Sequence, residues 1–150
     1  AVAASLSLAL GVDAAFGERL EDAGRVESSG KLSVPLELGL AVQGGGLWFR
    51  PAATLAPLLG GSYLFNNSGV SAGSPIAVGG HVAGGPRLGS VNVGVLAGVQ
   101  WPGRIPVRAV ASLPLGELPL RLEARLGVNI ATAGRYEPAA AVNVAFLPWL

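Results

Sequence analysis

The sequence predicts an all-β fold, an eight-stranded antiparallel up-and-down transmembrane β-barrel, as one domain over residues 1–150. Apolar and polar residues alternate along most of the chain, most clearly in residues 118–130, where every even position is apolar. Apolar residues make up 51% of the chain and charged residues 13%, too few to coat a small soluble domain, since such domains carry about 25%. No run of about 18 apolar residues offers a membrane-spanning helix, so a closed barrel is the remaining way to satisfy backbone groups in lipid.

The first four predicted strands each carry an apolar row on alternate positions, with small, polar or charged residues between. The rows are Leu6, Leu8, Leu10 and Val12 in residues 2–16; the even positions of 32–43; Leu47, Phe49, Ala53 and Leu55 in 47–58; and Ile76, Val78 and Val82 in 74–84. Three glycines at 44–46 predict a tight turn, because glycine adopts positive φ without steric cost. The polar stretches 17–30 and 66–73 predict exposed loops, through which we expect any surface partner to bind.

The last four predicted strands repeat this pattern. The rows are Val91, Val93, Val95, Ala97 and Val99 in residues 88–101; Ile105, Val107, Ala109, Ala111 and Leu113 in 105–115; the even positions of 118–130; and Val142, Val144 and Phe146 in 136–150. Short turns are predicted at 85–87, 102–103, 116–117 and 132–134. Every strand is long enough to cross a bilayer core, since a tilted strand needs about 9–11 residues. An even number of strands places both termini on one side.

The polar face is predicted to line the barrel interior and the apolar face to contact lipid. The apolar rows carry no charge, whereas the polar face carries Asp13, Glu37, Glu123 and Glu137 with Arg50, Arg108, Arg121 and Arg125. Equal numbers of opposite charges predict a paired network in the narrow lumen of an eight-stranded barrel. We expect this network to plug the lumen, with Arg108 opposite Arg125 across the hairpin of the sixth and seventh strands.

The aromatic residues are predicted to form two girdles at the ends of the strands. Phe16, Trp101 and Tyr136 fall at one set of strand ends, together with Tyr63 and Phe65 if the third strand extends that far. Trp48, Phe49, Phe146 and Trp149 fall at the other set. Two aromatic bands with an aliphatic belt between them are typical of a barrel whose ends lie at two membrane interfaces.

Residues that could carry chemistry are few. The chain has no cysteine and one histidine, His81, so we expect no metal site and no cofactor. A lone histidine on the polar face predicts a hydrogen-bonded structural residue, and we expect no enzyme activity. A net charge of +1 gives no reason to expect a nucleic-acid partner. Two alternatives stay open: a small pore or lipid-active enzyme on the same scaffold, and a soluble lipocalin-like binding barrel with the faces reversed.

The chain resembles the small eight-stranded outer-membrane barrels, the class of the OmpA transmembrane domain and OmpX. The resemblance rests on the number of strands, the length, the aromatic girdles and the final strand VNVAFLPWL at residues 142–150. It departs at the end, where the family typically has Phe and this chain has Trp149 and Leu150. The His-x-Ser pair of the lipid-modifying barrels is also missing, because His81 is followed by Val82 and Ala83. The resemblance implies a monomeric bacterial outer-membrane protein in contact with outer-membrane lipids, with both termini in the periplasm and a structural or surface-interaction role.

Overall fold

Antiparallel β-strands make up most of the described part of the chain. The computed structural model describes residues 1–20, 26–61, 76–101, 103–131 and 135–150. The strands are β1 (Ala3–Leu20), β2 (Val26–Ser33), β3 (Leu36–Gly44), β4 (Leu47–Gly61), β5 (Ile76–Leu88), β6 (Val91–Trp101), β7 (Arg104–Pro114), β8 (Leu120–Ala131) and β9 (Arg135–Phe146). Within these ranges there is no helix long and apolar enough to cross a membrane.

The nine segments form eight barrel strands, because β2 and β3 are two parts of one strand. Both pair with β1 in one continuous register, and both pair with β4 on the other side. The ladder is interrupted at Pro35, which has no backbone N–H to donate, although its carbonyl accepts a 3.2 Å hydrogen bond from the N–H of Gly11. Pairing of β1 with β9 closes the sheet. The predicted all-β, eight-stranded antiparallel barrel is therefore confirmed.

The stagger between strands fixes the tilt and width of the barrel. One row of paired residues starts at Ala4, passes once around the sheet and returns to β1 at Ala14, ten residues further along; it runs through Val42, Phe49, Gly84, Val95, Ala109, Leu126 and Ala140. With standard strand spacings, this stagger tilts the strands by about 41° and gives a backbone radius of about 8 Å. Such a lumen is narrow enough for side chains to fill it.

The polarity of the barrel is apolar outside and polar inside. Leu126, Val95 and Val99 on the outer wall are 70%, 66% and 67% exposed, and the other aliphatic rows also point outwards. Ser5, Glu123 and Asn143, by contrast, are the largest side chains that are almost fully buried, at 1% exposure each. A lipocalin-type barrel has the opposite arrangement, with an apolar interior and a polar outer surface.

Several strand boundaries differ from the sequence-based prediction. The predicted loop at 17–30 is wrong where it is described, because β1 continues to Leu20 and β2 begins at Val26 in an unbroken ladder. The predicted turn at 85–87 is also wrong, since β5 continues to Leu88 and the turn follows at Gly89 with φ of +65°. In both hairpins, backbone pairing continues past the last clear apolar alternation. The last strand ends at Phe146 instead of Leu150. The predicted loop at 66–73 and turn at 132–134 lie outside the described residues.

Candidate functional site

The centre of the lumen is organised around the carboxylate of Glu123 on β8. Arg50 Nη2 donates to both carboxylate oxygens at 2.7 Å, and Arg125 Nε donates to Oε1 at 2.7 Å. Arg50 lies on β4, four barrel strands from β8 in either direction around the sheet, so this pair spans the full width of the lumen. Successive side chains of a strand point to opposite faces, and all three of these residues lie at inward-facing positions of their strands.

Arg125 extends this cluster to the opposite wall. Its Nη1 and Nη2 donate to the two oxygens of Glu37 on β3 at 2.5 and 2.7 Å, which is a bidentate pair. The four residues Arg50, Glu123, Arg125 and Glu37, which we call the central cluster, are each at most 6% exposed. They form two acidic and two basic groups joined in one chain across the lumen. Breaking one such buried pair costs about 3–5 kcal/mol, because the remaining partner stays buried and uncompensated.

His81 on β5 lies beside the central cluster. Its Nε2 is 3.5 Å from Glu37 Oε1, and its Nδ1 is 3.3 Å from Thr54 Oγ1. A hydroxyl, an imidazole and a carboxylate in this order have the composition of a nucleophile triad. The adjoining cavity is only about 40 Å³, which has room for water molecules and not for a substrate. The carboxylate of Glu37 is also held by Arg125, so the geometry favours a structural role for His81.

A second ion pair lies further along the barrel axis. Arg108 Nη1 donates to Asp13 Oδ2 at 2.6 Å, and Arg108 Nη2 donates to Asn129 Oδ1 at 2.8 Å. The expectation that Arg108 lies opposite Arg125 is wrong, because the register pairs Arg108 with Gly127 and shifts Arg125 by two residues. A Cβ at Gly127 would come within 2.7 Å of Arg108 Cα, so the absence of a side chain there lets Arg108 take its place.

Arg104 and Glu137 form a further ion pair, of which the sequence predicts only Glu137 to lie in the lumen. Arg104 Nε and Nη2 donate to the two oxygens of Glu137 at 2.6 and 3.1 Å. Arg104 is not part of the predicted network because it follows directly after the predicted turn at 102–103. Its even position in β7 indicates an inward side chain, since Arg108 and Ser112 on the same even row are buried too.

Arg121 differs from the other predicted lumen arginines in its partners. It donates from Nε to Ser112 Oγ at 3.1 Å and from Nη2 to the carbonyls of Ser90 and Ser112 at 2.7 and 3.0 Å. Arg87, which the sequence predicts to lie in a turn, is on the inward row of β5 and close enough to act on Arg121 as a like charge. The described lumen therefore holds six arginines and four carboxylates, which replaces the predicted balance of four and four.

Two rows of outward aromatic side chains lie near the two ends of the barrel. Phe16, Trp101 and Tyr136 are 61–65% exposed at one end, and Phe49 and Phe146 are 48% and 39% exposed at the other. Each residue advances about 2.5 Å along the axis and each step to the next strand about 3.1 Å, so the Cα atoms of the two rows lie about 23 Å apart. Trp149 is also exposed, at 69%, and lies beyond the end of β9.

The placement of Trp48 in an aromatic girdle is wrong. Trp48 shares the inward row of β4 with Arg50, because the two residues are separated by one position. It is 6% exposed and packs against Ala83, Leu96 and Val110. Its Nε1 donates to the carbonyl of Val93 at 2.8 Å, and its ring centroid lies 5.7 Å from Arg50 Cζ, within the range of a cation–π contact.

Comparisons with known proteins returned no match. No family model matches the chain, and neither a curated protein nor a solved structure matches it. Among the described residues, no three His, Cys, Asp or Glu side chains form a group that could hold a metal ion. The geometry of the barrel itself is therefore what points to a function.

Proposed function

We propose that this chain is an integral bacterial outer-membrane β-barrel with a closed lumen and a structural or surface-interaction role. The observation that carries the proposal is the outer wall: an aliphatic belt about 23 Å tall between two aromatic rows. The apolar band of transmembrane β-barrels is about 25 Å tall and is flanked by aromatic girdles in the same way.

The absence of charge on the outer wall supports a lipid environment. Within the described strands, no Asp, Glu, Lys or Arg occupies an outward position whose burial is known. A water-soluble monomer rarely exposes a contiguous apolar patch of more than a few hundred Å², whereas here the aliphatic rows continue all the way around the barrel. The reversed polarity also disfavours the lipocalin-like alternative, because the interior holds ion pairs in place of an apolar ligand cavity.

The central cluster supports a closed lumen. The bond between Arg50 and Glu123 joins opposite walls, and that between Arg125 and Glu37 lies at a neighbouring level. Below them the indole of Trp48 narrows the lumen at the next inward position of β4. A backbone radius of about 8 Å leaves little room for water beside side chains of this size. We therefore favour the closed barrel over a small pore.

The connections support an orientation with both termini in the periplasm. The turns at the end that carries the termini are short: β3 and β4 are joined by Gly45 and Gly46, and β5 and β6 by Gly89 and Ser90. At the other end, β4 and β5 are separated by residues 62–75. Outer-membrane barrels have short periplasmic turns and longer extracellular loops. Under this proposal any surface partner binds at the end opposite the termini.

Two measurements test the proposal separately. The purified chain is refolded in detergent and run unheated and boiled on a denaturing gel; a folded barrel migrates differently in the two lanes. A chain that stays soluble and monomeric without detergent contradicts the membrane proposal. The refolded protein is then reconstituted in a planar bilayer, where we expect no steady conductance. Stable channels would contradict the closed lumen and leave the membrane location intact.

A further inference from the structure

A cavity opens in the lumen at the end that carries the termini. Its volume is about 240 Å³. One part of its wall is polar and includes Arg87, Arg121 and Asn92, and another part is apolar and includes Trp48, Leu147 and Leu150. It lies on the opposite side of the central cluster from the 40 Å³ cavity beside His81. The proposed membrane role makes no use of it.

The two arginines in this cavity carry positive charge without a described acidic partner. The hydrogen bonds of Arg121 go to a hydroxyl and two carbonyls, all of them neutral. Arg87 Nε is buried and has no hydrogen-bond partner among the described residues. Glu123 is the nearest acidic residue on the inward row of β8, and Arg50 and Arg125 already occupy both of its oxygens. Two like charges held together are costly unless an anion binds between them.

Asn92 supplies an independent observation at the same place. Its side chain lines the cavity and is 8% exposed, yet its Oδ1 has no hydrogen-bond partner in the described structure. A buried polar atom without a partner is costly, because it has lost its hydrogen bonds to water. An amide can present either its oxygen or its NH₂ group after a flip, so Asn92 can meet an acidic group or a hydroxyl of a ligand.

We propose that this cavity binds a small amphiphilic anion, an oxyanion head group of the phosphate or carboxylate type on a short apolar chain. The fork of a guanidinium matches the paired oxygens of both head groups. The bonds from Arg121 to Ser90 and Ser112 hold its side chain in position before a ligand arrives, which lowers the entropic cost of binding. The cavity is smaller than the about 300–1,000 Å³ typical of drug-sized ligands, so the apolar wall accepts a short chain.

Hexyl phosphate is the probe that tests this site. The protein is refolded in an uncharged detergent at low ionic strength, because salt screens charge pairs near the mouth of the lumen. Trp101 and Trp149 are replaced by Phe, so that the fluorescence of Trp48, which lines the cavity, reports binding. We expect saturable binding of hexyl phosphate, weaker binding of inorganic phosphate and no saturable signal with hexanol. A parallel series of mixed micelles with an anionic phospholipid distinguishes a lipid head group from a free anion as the source.

Two arginine variants and one control assign the binding to this cavity. We expect Arg87→Gln and Arg121→Gln each to weaken hexyl phosphate binding by about tenfold or more, because each removes a charge-assisted pair. Gln100→Ala removes a polar lumen residue at the opposite end, beside the 40 Å³ cavity, and should leave the affinity unchanged. If Arg121→Gln does not fold, Arg87→Gln decides alone, since its guanidinium Nε holds no described partner.

The proposal is overturned if hexyl phosphate gives no saturable signal with protein that shows the folded gel band. It is also overturned if Arg87→Gln and Gln100→Ala bind equally, or if hexanol binds as well as hexyl phosphate. Because the gel band is measured on the same samples, these outcomes concern the anion site and leave the membrane proposal to its own tests.

Discussion

Leu126→Arg places a charge at mid-height on the outer wall and tests the assignment of that wall to lipid. Leu126 points outwards and is 70% exposed. By the strand geometry, its Cα lies about 12 Å from the Phe49 row and about 11 Å from the row of Phe16 and Trp101, which is the middle of the aliphatic belt. Arginine at the midplane of a membrane barrel costs about 2–4 kcal/mol, which corresponds to a 30- to 900-fold loss in the folding constant.

Leu88→Arg is the matched control for this substitution. Leu88 also points outwards and is 62% exposed, but it lies beside the turn at Gly89. Its Cα is about 7 Å beyond the Phe49 row on the side of the termini, where arginine costs about 0–1 kcal/mol. Both variants exchange the same residue types at similarly exposed sites, so the difference between them measures depth alone.

Folding free energies of the two variants are measured by guanidinium titration into lipid vesicles, with tryptophan fluorescence as the signal. We expect Leu126→Arg to fold at least 30-fold less favourably than the parent and Leu88→Arg within about fivefold of it. Equal losses in the two variants would show that the cost of the charge does not depend on its position along the barrel axis, which would contradict the assignment of the wall to lipid. Folding of Leu126→Arg in plain buffer with undiminished stability would show that the wall faces water.

The other predictions concern the lumen and the sheet. Glu123→Gln should lower the free energy of unfolding by about 3–5 kcal/mol because Arg50 and Arg125 lose their shared anion. Asn143 is the register partner of Glu123, is equally buried and has no described side-chain hydrogen bond, so Asn143→Ala should cost less than about 1 kcal/mol. The same guanidinium titration compares the two variants. Gly127→Ala should cost about 1–3 kcal/mol because its Cβ would meet the backbone of the neighbouring strand. Gly80→Ala should be close to neutral because its Cβ would have one ordinary contact at 3.4 Å. The thermal gel shift of the two variants measures the difference. Reversal of either order would contradict the packing described above.

Local alternation explains why so much of the architecture follows from the sequence. A strand places successive side chains on opposite faces, so the row from Leu120 to Ile130 identifies its outward face without knowledge of any neighbour. The aliphatic belt and the inward position of most charged residues follow directly. The same rule applied strictly would have placed Trp48 inside, because Arg50 is inside. A position near a strand end favours an interfacial aromatic residue, but the parity that Trp48 shares with Arg50 decides which way its ring points.

Partners across the lumen could not be predicted in the same way. Alternation places Arg50, Glu123 and Glu37 inside but does not say which arginine reaches which carboxylate. That depends on the stagger of ten residues and on the width of the lumen, both of which are set by pairing between strands distant in sequence. The register of the β7–β8 hairpin separates Arg108 from Arg125, and closure of the barrel brings Arg108 to Asp13.

The sequence by itself determined the all-β class, the eight-strand count, the outward aliphatic rows and the list of most inward charges, because these depend on periodicity along single strands. Only the tertiary structure decided the strand ends, the inward position of Trp48, the pairing within the central cluster and the two arginines at the terminus end of the lumen that have no ion-pair partner among the described residues. These features depend on register and on distances across a closed barrel, and one strand read in isolation contains neither.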